Sequence, residues 1–367
     1  MKNKILINTK NSNYNILVGS SLISKIGLIL KKYSINSEKF LIVYDSKVPL
    51  KKIHLLKKNF KKNCVLFKFY SSEKNKNQKN VNNILKVMLK NNFNRSDCLI
   101  AVGGGIVGDV SAFAASIFKR GLKLINIPTT LLAQVDSSIG GKTGINSKFG
   151  KNLIGSFYQP NLVISDIDFL KYLPKREIIC GYAEIFKHSI IADRKFFDFL
   201  IRNKKKIINL KKPFINKAIY KSCLIKKNIV EKDENEKNLR KKLNLGHTFA
   251  HSYEASFKYS GKLNHGEAVL LGINSASEFS KQKNLLSQKE FGLISKHISE
   301  IDKSLKVRNY FKIKDAKKLL KYMKNDKKNN SDKINLILIN KIGKVSYDNF
   351  FHQKEISKFI RSQIYSI

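Results

Sequence analysis

The hydrophobic residues in the first half of the chain fall in short, β-branched runs that alternate with segments of helical spacing. Short apolar runs separated by helical segments are typical of a parallel sheet covered by helices. The pattern predicts strands at residues 39–44, 65–69, 98–102 and 123–127. We therefore expect an N-terminal α/β domain.

From about residue 175 onwards, the apolar residues recur at helical spacing, which predicts helices over residues 178–190, 214–230, 248–257 and 268–279. Residues 334–347 differ, because an alternating pattern on either side of Gly343 predicts a β-hairpin. The polar residues 324–333 before it are expected to form a surface loop. The pattern thus predicts an α/β domain over 1–175 and a mainly α-helical domain over 176–367.

Length and composition support this division. A chain of 367 residues suits two domains with separate cores, and a hydrophobic content of 42% suits a folded globular protein. The chain has no run of about eighteen uncharged apolar residues, so neither a membrane span nor a signal peptide is predicted. The default expectation is a cytoplasmic protein that does not bind a membrane.

The cysteines are widely spaced and form no C-x-x-C pair, which removes the usual zinc-ribbon and redox-motif interpretations. They are expected to be reduced and buried, and they are Cys64, Cys98, Cys180 and Cys223.

Lys and Arg number 71 against 27 Asp and Glu, a formal charge of +44 that would ordinarily suggest nucleic-acid binding. The lysines, however, are spread along the chain and mixed with Asn, Ile and Phe, residues that A+T-rich codons specify. We therefore attribute the charge to drift in a biased genome and expect no nucleic-acid partner. Tight, sequence-independent binding of duplex DNA near physiological salt would contradict this.

A glycine-rich turn follows the predicted strand 98–102. Gly103 to Asp109 reads Gly-Gly-Gly-Ile-Val-Gly-Asp and leads into a helical segment, 110–118. Glycines let the backbone approach a phosphate, and a helix N-terminus offers free N–H donors. The turn does not match G-x-G-x-x-G, and a tight connection without a ligand is the alternative.

A long polar run follows at residues 128–146, and a shorter one at 150–155. Both are rich in hydroxyl, amide and Gly residues, and they contain Lys142 and Lys151. Such residues suit a pocket for a phosphorylated polyol. A long unstructured loop is the alternative, although loops of this length are uncommon in compact domains.

Candidate metal ligands come from three segments of the second half. Glu184 and Lys187 share a helical face, His247 and His251 lie one helical turn apart, and His265 opens a further predicted helix. One carboxylate and two imidazoles leave an open position on zinc, as in catalytic sites. Simple packing of the histidines is the alternative. Thr248, and not the Glu of an H-E-x-x-H motif, directly follows His247, which disfavours metalloprotease chemistry.

The charged segment between these pieces contains Lys226 and Arg240. Either it is a solvated helix and loop, or the two cations neutralise a substrate carboxylate or phosphate.

Taken in order, the motifs resemble those of the 3-dehydroquinate synthase family of sugar phosphate cyclases. G-G-G-x-x-G-D, P-T-T-L-L-A-Q-V-D-S-S-x-G-G-K-T, G-K-N-L-I-G, A-E-x-x-K and L-N-L-G-H-T-F-x-H occur in series, and the resemblance covers residues 45–328. It implies an NAD-binding α/β domain, a helical metal- and substrate-binding domain and a homodimer.

The resemblance also implies roles for individual residues. NAD would be held by Asp45, Glu73, Lys76, Gly105, Ile106, Val107, Gly108, Asp109, Thr129, Thr130, Lys142, Lys151, Phe169, Leu170, Lys171 and Tyr172. Zinc, or cobalt in its place, would be bound by Glu184, His247 and His265. The phosphorylated sugar acid would contact Asp136, Lys142, Lys151, Asn152, Lys187, Lys226, Arg240, Asn244, His251 and Lys327 or Lys328, and Arg120 would reach the phosphate in the neighbouring subunit.

The implied activity is that of a carbon–oxygen lyase of the shikimate pathway, which leads to chorismate and the aromatic amino acids. It converts 3-deoxy-D-arabino-heptulosonate 7-phosphate to 3-dehydroquinate and phosphate by transient oxidation with NAD, phosphate elimination, reduction and aldol closure. The enzyme alternatives are a related sugar phosphate cyclase and a metal-dependent polyol dehydrogenase. The alternative from another class is a basic nucleic-acid-binding protein with decayed motifs.

Overall fold

The computed structural model describes residues 3–10, 12–60, 63–325 and 333–365. Its strands are β1 (Asn3–Asn8), β2 (Asn13–Gly19), β3 (Phe40–Asp45), β4 (Cys64–Phe69), β5 (Cys98–Gly103), β6 (Lys123–Pro128), β7 (Ile145–Ser147), β8 (Gly150–Ile154), β9 (Leu162–Asp166), β10 (Lys333–Lys341) and β11 (Lys344–His352). Its α-helices are α1 (Ile26–Lys32), α2 (Leu50–Lys57), α3 (Gln78–Lys90), α4 (Gly105–Ile117), α5 (Lys175–Ala192), α6 (Arg194–Ile208), α7 (Phe214–Val230), α8 (His247–Ser256), α9 (His265–Gln282), α10 (Gln288–Ile301), α11 (Val307–Tyr310), α12 (Ala316–Asn325) and α13 (Gln353–Tyr365).

The chain divides into two compact units. The first contains Met1–Ile178 and Leu210–Asn235, and the second contains Ile179–Asn209 and Glu236–Ile367. Helix α7 belongs to the first unit, although its hydrophobic pattern grouped it with the helical half. Helix α7 is part of the first unit because it packs against β1, β2 and the π-helical turn Ala133–Ser137.

The first unit is built on a seven-stranded sheet in the order β1-β2-β9-β6-β5-β3-β4. Only the β1–β2 pair is antiparallel, and the other pairs in this sheet are parallel. All six residues of β3 and of β5 are buried, which explains why these strands read as continuous apolar runs. The four predicted strands are confirmed as β3 to β6, and so is the α/β class.

The strand order reverses direction between β3 and β5. From β3 the chain adds β4 on one side and then β5 and β6 on the other. Asp45 ends β3 and Gly103 ends β5, so both lie at the carboxyl edge of this reversal. In open α/β sheets, ligands bind in the crevice at such a switch point.

The second unit is mainly helical and contains the predicted hairpin, which is confirmed as β10 and β11. Strand β10 packs against α9, where the main-chain N–H of Ile339 donates to Ser280 Oγ at 2.9 Å. The expected loop at 324–333 falls mostly outside the described residues. Among the described helices, none has the length and apolar content needed to span a membrane.

His297 of α10 is buried in the second unit, where its Nε2 lies 2.9 Å from the hydroxyl of Tyr182 on α5. Burial, aided by Lys204, lowers the pKa of His297 to about 3, although Glu300 opposes this. The unfolded chain takes up this proton near pH 6.5 and the folded chain does not, so stability falls as pH falls between pH 6.5 and about 3.

We expect His297 to contribute about 2 kcal/mol to the loss of unfolding free energy between pH 7 and pH 5. The variant His297→Gln keeps a hydrogen-bonding side chain but cannot titrate, so its stability should depend less on pH. Urea unfolding of both proteins at pH 7, 6 and 5 measures this. Equal pH slopes for the two proteins would contradict the assignment.

Candidate functional site

The predicted glycine turn connects β5 to α4 in the first unit. Gly104 precedes α4, and no side chain caps the helix there. The turn is packed closely, because a Cβ on Gly103 would lie 2.7 Å from the side chain of Val107 and one on Gly105 would lie 3.0 Å from Ser137 Oγ. The N–H of Thr129 also donates to the carbonyl of Gly103 at 2.9 Å. An uncapped helix N-terminus behind a glycine turn suits a pyrophosphate.

Four predicted cofactor residues and the predicted substrate residue Asn152 form a polar cluster beside this turn. Lys76 is buried, and its ammonium group donates to Asp109 Oδ2 at 2.6 Å and to Asn152 Oδ1 at 2.5 Å. Glu73 Oε1 lies 3.3 Å from Lys151 Nζ. Burial raises the pKa of Asp109, although Lys76 opposes this. The sequence motifs that contain these residues therefore converge in the folded unit.

Asn146 connects the members of this cluster. Its amide nitrogen donates to Glu73 Oε2 at 2.8 Å, and its amide oxygen accepts from the N–H of Asn152 at 3.1 Å. The N–H of Asn146 donates to the carbonyl of Lys76 at 2.8 Å. The main chain of Asn152 is left-handed, with φ of 55°. Sequence reasoning placed Asn146 in the polar run but gave it no role.

The other predicted cofactor residues are placed as follows. Asp45 is buried, and its carboxylate accepts from the N–H of Lys47 at 3.0 Å. Phe169 and Leu170 are buried in the apolar interior, so only their main chain remains for a ligand. Lys171 pairs with Asp168, and the exposed ring of Tyr172 lies beneath the ammonium group of Lys51. Thr130 Oγ1 accepts from the N–H of Ala133.

Helix α7 places Lys226 against the π-helical turn. The buried ammonium group of Lys226 donates to Asp136 Oδ1 at 2.6 Å and to its carbonyl at 2.7 Å. Both residues were predicted to contact the substrate, and the structure brings them together. Lys142 is exposed and pairs through its main chain with Phe157.

In the second unit, α5 carries Glu184 and Lys187. The side chain of Glu184 is 1% exposed, and its Oε2 contacts the ammonium group of Lys187, which is itself 2% exposed. A carboxylate this deeply buried is costly unless it is paired or bound to a metal.

Two glycine contacts bring the histidines to this carboxylate. A Cβ on Gly266 would lie 2.2 Å from the Cα of Cys180, so α9 approaches α5 closely one turn before Glu184. A Cβ on Gly272 would lie 2.2 Å from the carbonyl oxygen of Gly246, so α8 approaches α9 equally closely. These contacts set the main-chain positions of the histidines that follow Gly246 and precede Gly266.

The resulting geometry fits a metal ion. Nε2 of His247 and Nε2 of His265 each lie 3.7 Å from Glu184 Oε1, which is too far for a hydrogen bond. Ligand atoms bound to tetrahedral zinc at about 2.1 Å lie about 3.4 Å apart. The three ligand atoms also lie within 4.8 Å of one another. The donor set and its spacing could therefore hold one metal ion through three ligands.

The pKa values of the three groups reflect their shared burial. Burial alone would raise the pKa of Glu184, but Lys187 and the imidazoles lower it well below its usual range. Burial and Lys187 lower the pKa of His247 well below its usual range, which leaves a lone pair on that ring. Burial opposes protonation of His265, but contacts with Glu184 and Glu254 raise its pKa to about 10.

Three of the remaining predicted site residues, Arg240, Asn244 and His251, belong to the second unit, and Arg120 belongs to the first. His251 stacks edge-on to His247, with ring centroids 5.3 Å apart. Arg240 is buried, and Asn244 donates to Glu236 at 3.1 Å. Arg120, in the first unit, is exposed and has a left-handed φ of 64°. Lys327 and Lys328 lie outside the described residues.

Sequence reasoning missed Glu254, whose Oε2 lies 3.3 Å from His265 Nδ1. The signal was present, because Glu254 follows His251 by three positions and His247 by seven, which places all three on one face of α8.

Comparison with known proteins identifies the family of this chain. A family model described as 3-dehydroquinate synthase N-terminal matches residues 66–180, and one described as 3-dehydroquinate synthase C-terminal matches residues 181–329. A curated 3-dehydroquinate synthase from Pelagibacter ubique (strain HTCC1062) is 52% identical over 98% of this chain and 98% of its own length.

Solved structures share the fold at lower sequence identity. A 2-deoxy-scyllo-inosose synthase complexed with carbaglucose-6-phosphate, NAD+ and Co2+ is 24% identical, with a TM-score of 0.86 over 98% of this chain and 100% of that one. ValA, a 2-epi-5-epi-valiolone synthase from Streptomyces hygroscopicus subsp. jinggangensis 5008 with NAD+ and Zn2+ bound, is 23% identical, with a TM-score of 0.85 over 97% and 98%. With both domain models and a full-length relative in agreement, the chain belongs to the 3-dehydroquinate synthase family.

Proposed function

We propose that this chain is a 3-dehydroquinate synthase, a carbon–oxygen lyase that converts 3-deoxy-D-arabino-heptulosonate 7-phosphate to 3-dehydroquinate and phosphate. The full-length relative of that name supports the reaction, at 52% identity. The observation that carries the chemistry is the spacing of Glu184 Oε1 and the two imidazole Nε2 atoms, which fits one metal ion.

The proposed cofactors are NAD and zinc, with cobalt as a substitute. Two structures of the same fold bind NAD+ together with Co2+ or Zn2+. Glu184, His247 and His265 would hold the metal, and Asp45 with the Gly103 to Asp109 turn would hold the dinucleotide at the sheet's switch point. When bound, the metal polarises a substrate oxygen and NAD accepts and returns a hydride.

The protein's own residues then bind the substrate and move protons. The phosphate and carboxylate of the substrate need cations, which Lys142, Lys151, Lys226 and Arg240 supply, Arg240 with a planar donor fork. Asp136 fixes the ammonium group of Lys226 through the two bonds described above. Holding the phosphate in place lets it accept the substrate proton with a high effective concentration.

His251 is proposed to relay the hydroxyl proton. Its ring lies edge-on to His247, and an imidazole is suited to proton transfer near neutral pH. Lys187 would contact the substrate from the same helix face as Glu184, and Asn152 and Asn244 would donate or accept neutral hydrogen bonds.

Phosphate release from purified protein tests the function. With NAD and zinc present, 3-deoxy-D-arabino-heptulosonate 7-phosphate should release one phosphate per turnover without accumulation of NADH. Release from glucose 6-phosphate or a heptulose phosphate instead would identify a different cyclase. Accumulation of NADH with a polyol would identify a dehydrogenase.

We further propose a homodimer in which Arg120 acts on the neighbouring subunit's substrate phosphate. Four exposed apolar side chains lie within residues 149–157, namely Phe149, Leu153, Ile154 and Phe157. Ser156 bonds to Ser116 at 2.9 Å, which joins this segment to the end of α4, where Ile117 is exposed and Arg120 follows. Exposed apolar groups around a surface arginine suit an interface between copies.

Subunit complementation tests the shared site. Arg120→Ala and Lys226→Met should each lose most activity alone. In a mixed population, half of the dimers are heterodimers with one intact site, so about a quarter of the parent activity should return. Mixing Lys226→Met with Asp136→Asn is the matched control and should restore none. Failure of the first mixture to regain activity would contradict action across subunits.

The cytoplasmic location and the domain division at residue 175 remain predictions of the sequence pattern. The expectation that no nucleic acid is bound also remains a prediction.

A further inference from the structure

We propose that Glu254 is a positioning residue for the metal site, in which its carboxylate holds the imidazole of His265 so that Nε2 faces Glu184. This inference rests on the proposed function, because it assumes that Glu184, His247 and His265 bind a metal ion. Glu254 itself is not proposed as a ligand.

The geometry of His265 carries the proposal. Its Nδ1 lies 3.3 Å from Glu254 Oε2, and its Nε2 lies 3.7 Å from Glu184 Oε1. An ionised carboxylate only accepts hydrogen bonds, so Nδ1 must be the donor in this pair. A metal ion binds only the neutral ring, and with the remaining proton on Nδ1 the lone pair would be on Nε2, the atom that faces the other proposed ligands.

The two imidazoles are held by different kinds of acceptor. His247 Nδ1 lies 3.2 Å from the main-chain carbonyl of Leu245, which no substitution removes. His265 is held by a side chain instead. A carboxylate behind a ligand imidazole fixes its orientation and makes it a stronger donor to the metal.

The burial of the Glu254 carboxylate indicates that it makes a specific stabilising interaction. Glu254 is 9% exposed, and burying a carboxylate is costly unless it is compensated. It lies on α8, which packs closely against α9, the helix that begins at His265. The contact thus joins the two helices that supply the imidazoles. A purely structural role in that helix pair is the competing explanation, and the test must separate the two.

The zinc affinity of the full chain, measured by competition with a chromophoric chelator, distinguishes a positioning role from a purely structural one. We expect Glu254→Ala to bind zinc about 10- to 100-fold more weakly than the parent, since outer partners of ligand imidazoles have effects of that size. Glu254→Gln keeps an acceptor without the charge and should show a smaller loss. The cobalt-substituted Glu254→Ala protein should also show an altered visible absorption spectrum.

Glu278→Gln is the matched control, because Glu278 is a partly buried carboxylate of the same unit that accepts a hydrogen bond from Gln363. It should bind zinc as the parent does. If folded Glu254→Ala and Glu254→Gln both bind zinc within about twofold of the parent, the positioning role is wrong while the metal site stands. If the parent itself binds no zinc, the metal site is wrong and this inference falls with it.

Discussion

Glu184→Gln should abolish stoichiometric zinc binding and lower kcat/KM for phosphate release by about 1000-fold. A neutral amide is a poor metal ligand, and losing a Lewis acid removes several kcal/mol of transition-state stabilisation, where 1.4 kcal/mol corresponds to tenfold in rate. The substitution also leaves the ammonium group of Lys187, which contacts Glu184, buried without its partner. Metal analysis after gel filtration and the phosphate assay measure both effects.

Glu300→Gln is the control for losing an ion pair in the same unit. Glu300 pairs with the largely buried Lys204 at 2.6 Å and is not part of the Glu184 ligand group. It should retain its zinc and most of its activity. If Glu184→Gln instead kept full zinc content and activity, Glu184 would be excluded as a metal ligand.

Gly266→Ala is expected to destabilise the protein by about 3 kcal/mol, at the upper end of typical overpacking effects. The added Cβ would lie 2.2 Å from the Cα of Cys180 and 2.8 Å from its carbonyl oxygen, and main-chain atoms cannot rotate away. Separation of α9 from α5 would also displace His265 from Glu184. Zinc affinity should therefore fall together with the unfolding free energy measured in urea.

Gly292→Ala provides the contrast. Gly292 lies inside α10, and a Cβ there would meet no atom within 4 Å. Because Ala is the better helix former, this variant should be unchanged or more stable by about 0.5–1 kcal/mol. If both variants unfold at the same urea concentration as the parent, the close helix approach at Gly266 is not what holds the site.

Most of the sheet could be predicted from the sequence because its central strands are buried on both faces. The run that became β5 is wholly buried, so its apolar pattern is continuous and unmistakable. By contrast, β1 and β2 are an antiparallel pair at the edge of the sheet whose apolar residues are interrupted by Asn, and their pattern gave no prediction. Strand β9 is a short apolar segment that follows the long polar run, and no strand was predicted there.

The assignment of α7 shows what periodicity cannot supply. Its bounds were predicted as residues 214–230, and the structure gives Phe214–Val230. Its hydrophobic pattern shows that it is helical but not which core it joins. That choice depends on contacts with β1, β2 and the Ala133–Ser137 turn, which are distant in sequence.

The convergence of Glu184, His247 and His265 could be anticipated because their motifs carry recognisable chemistry at fixed local spacing, and their role as metal ligands stays a prediction. What the sequence alone could not supply is the set of long-range partners. Asn146 hydrogen-bonds to both Glu73 and Asn152, and Glu254 contacts Nδ1 of His265. Neither Asn146 nor Glu254 belongs to a motif with an assigned role. The glycines that bring α5, α8 and α9 together were likewise visible only once their close contacts were known.

X-ray absorption at the zinc edge of the purified chain tests the central claim most directly. The account predicts one zinc per chain, coordinated by two imidazole nitrogens at about 2.0–2.1 Å and by oxygen at about 2.0–2.2 Å. Sulfur scattering at about 2.3 Å would contradict it, because it would indicate a cysteine such as Cys180, whose Sγ accepts a hydrogen bond from the N–H of Gly266. A spectrum without imidazole scattering would contradict it equally.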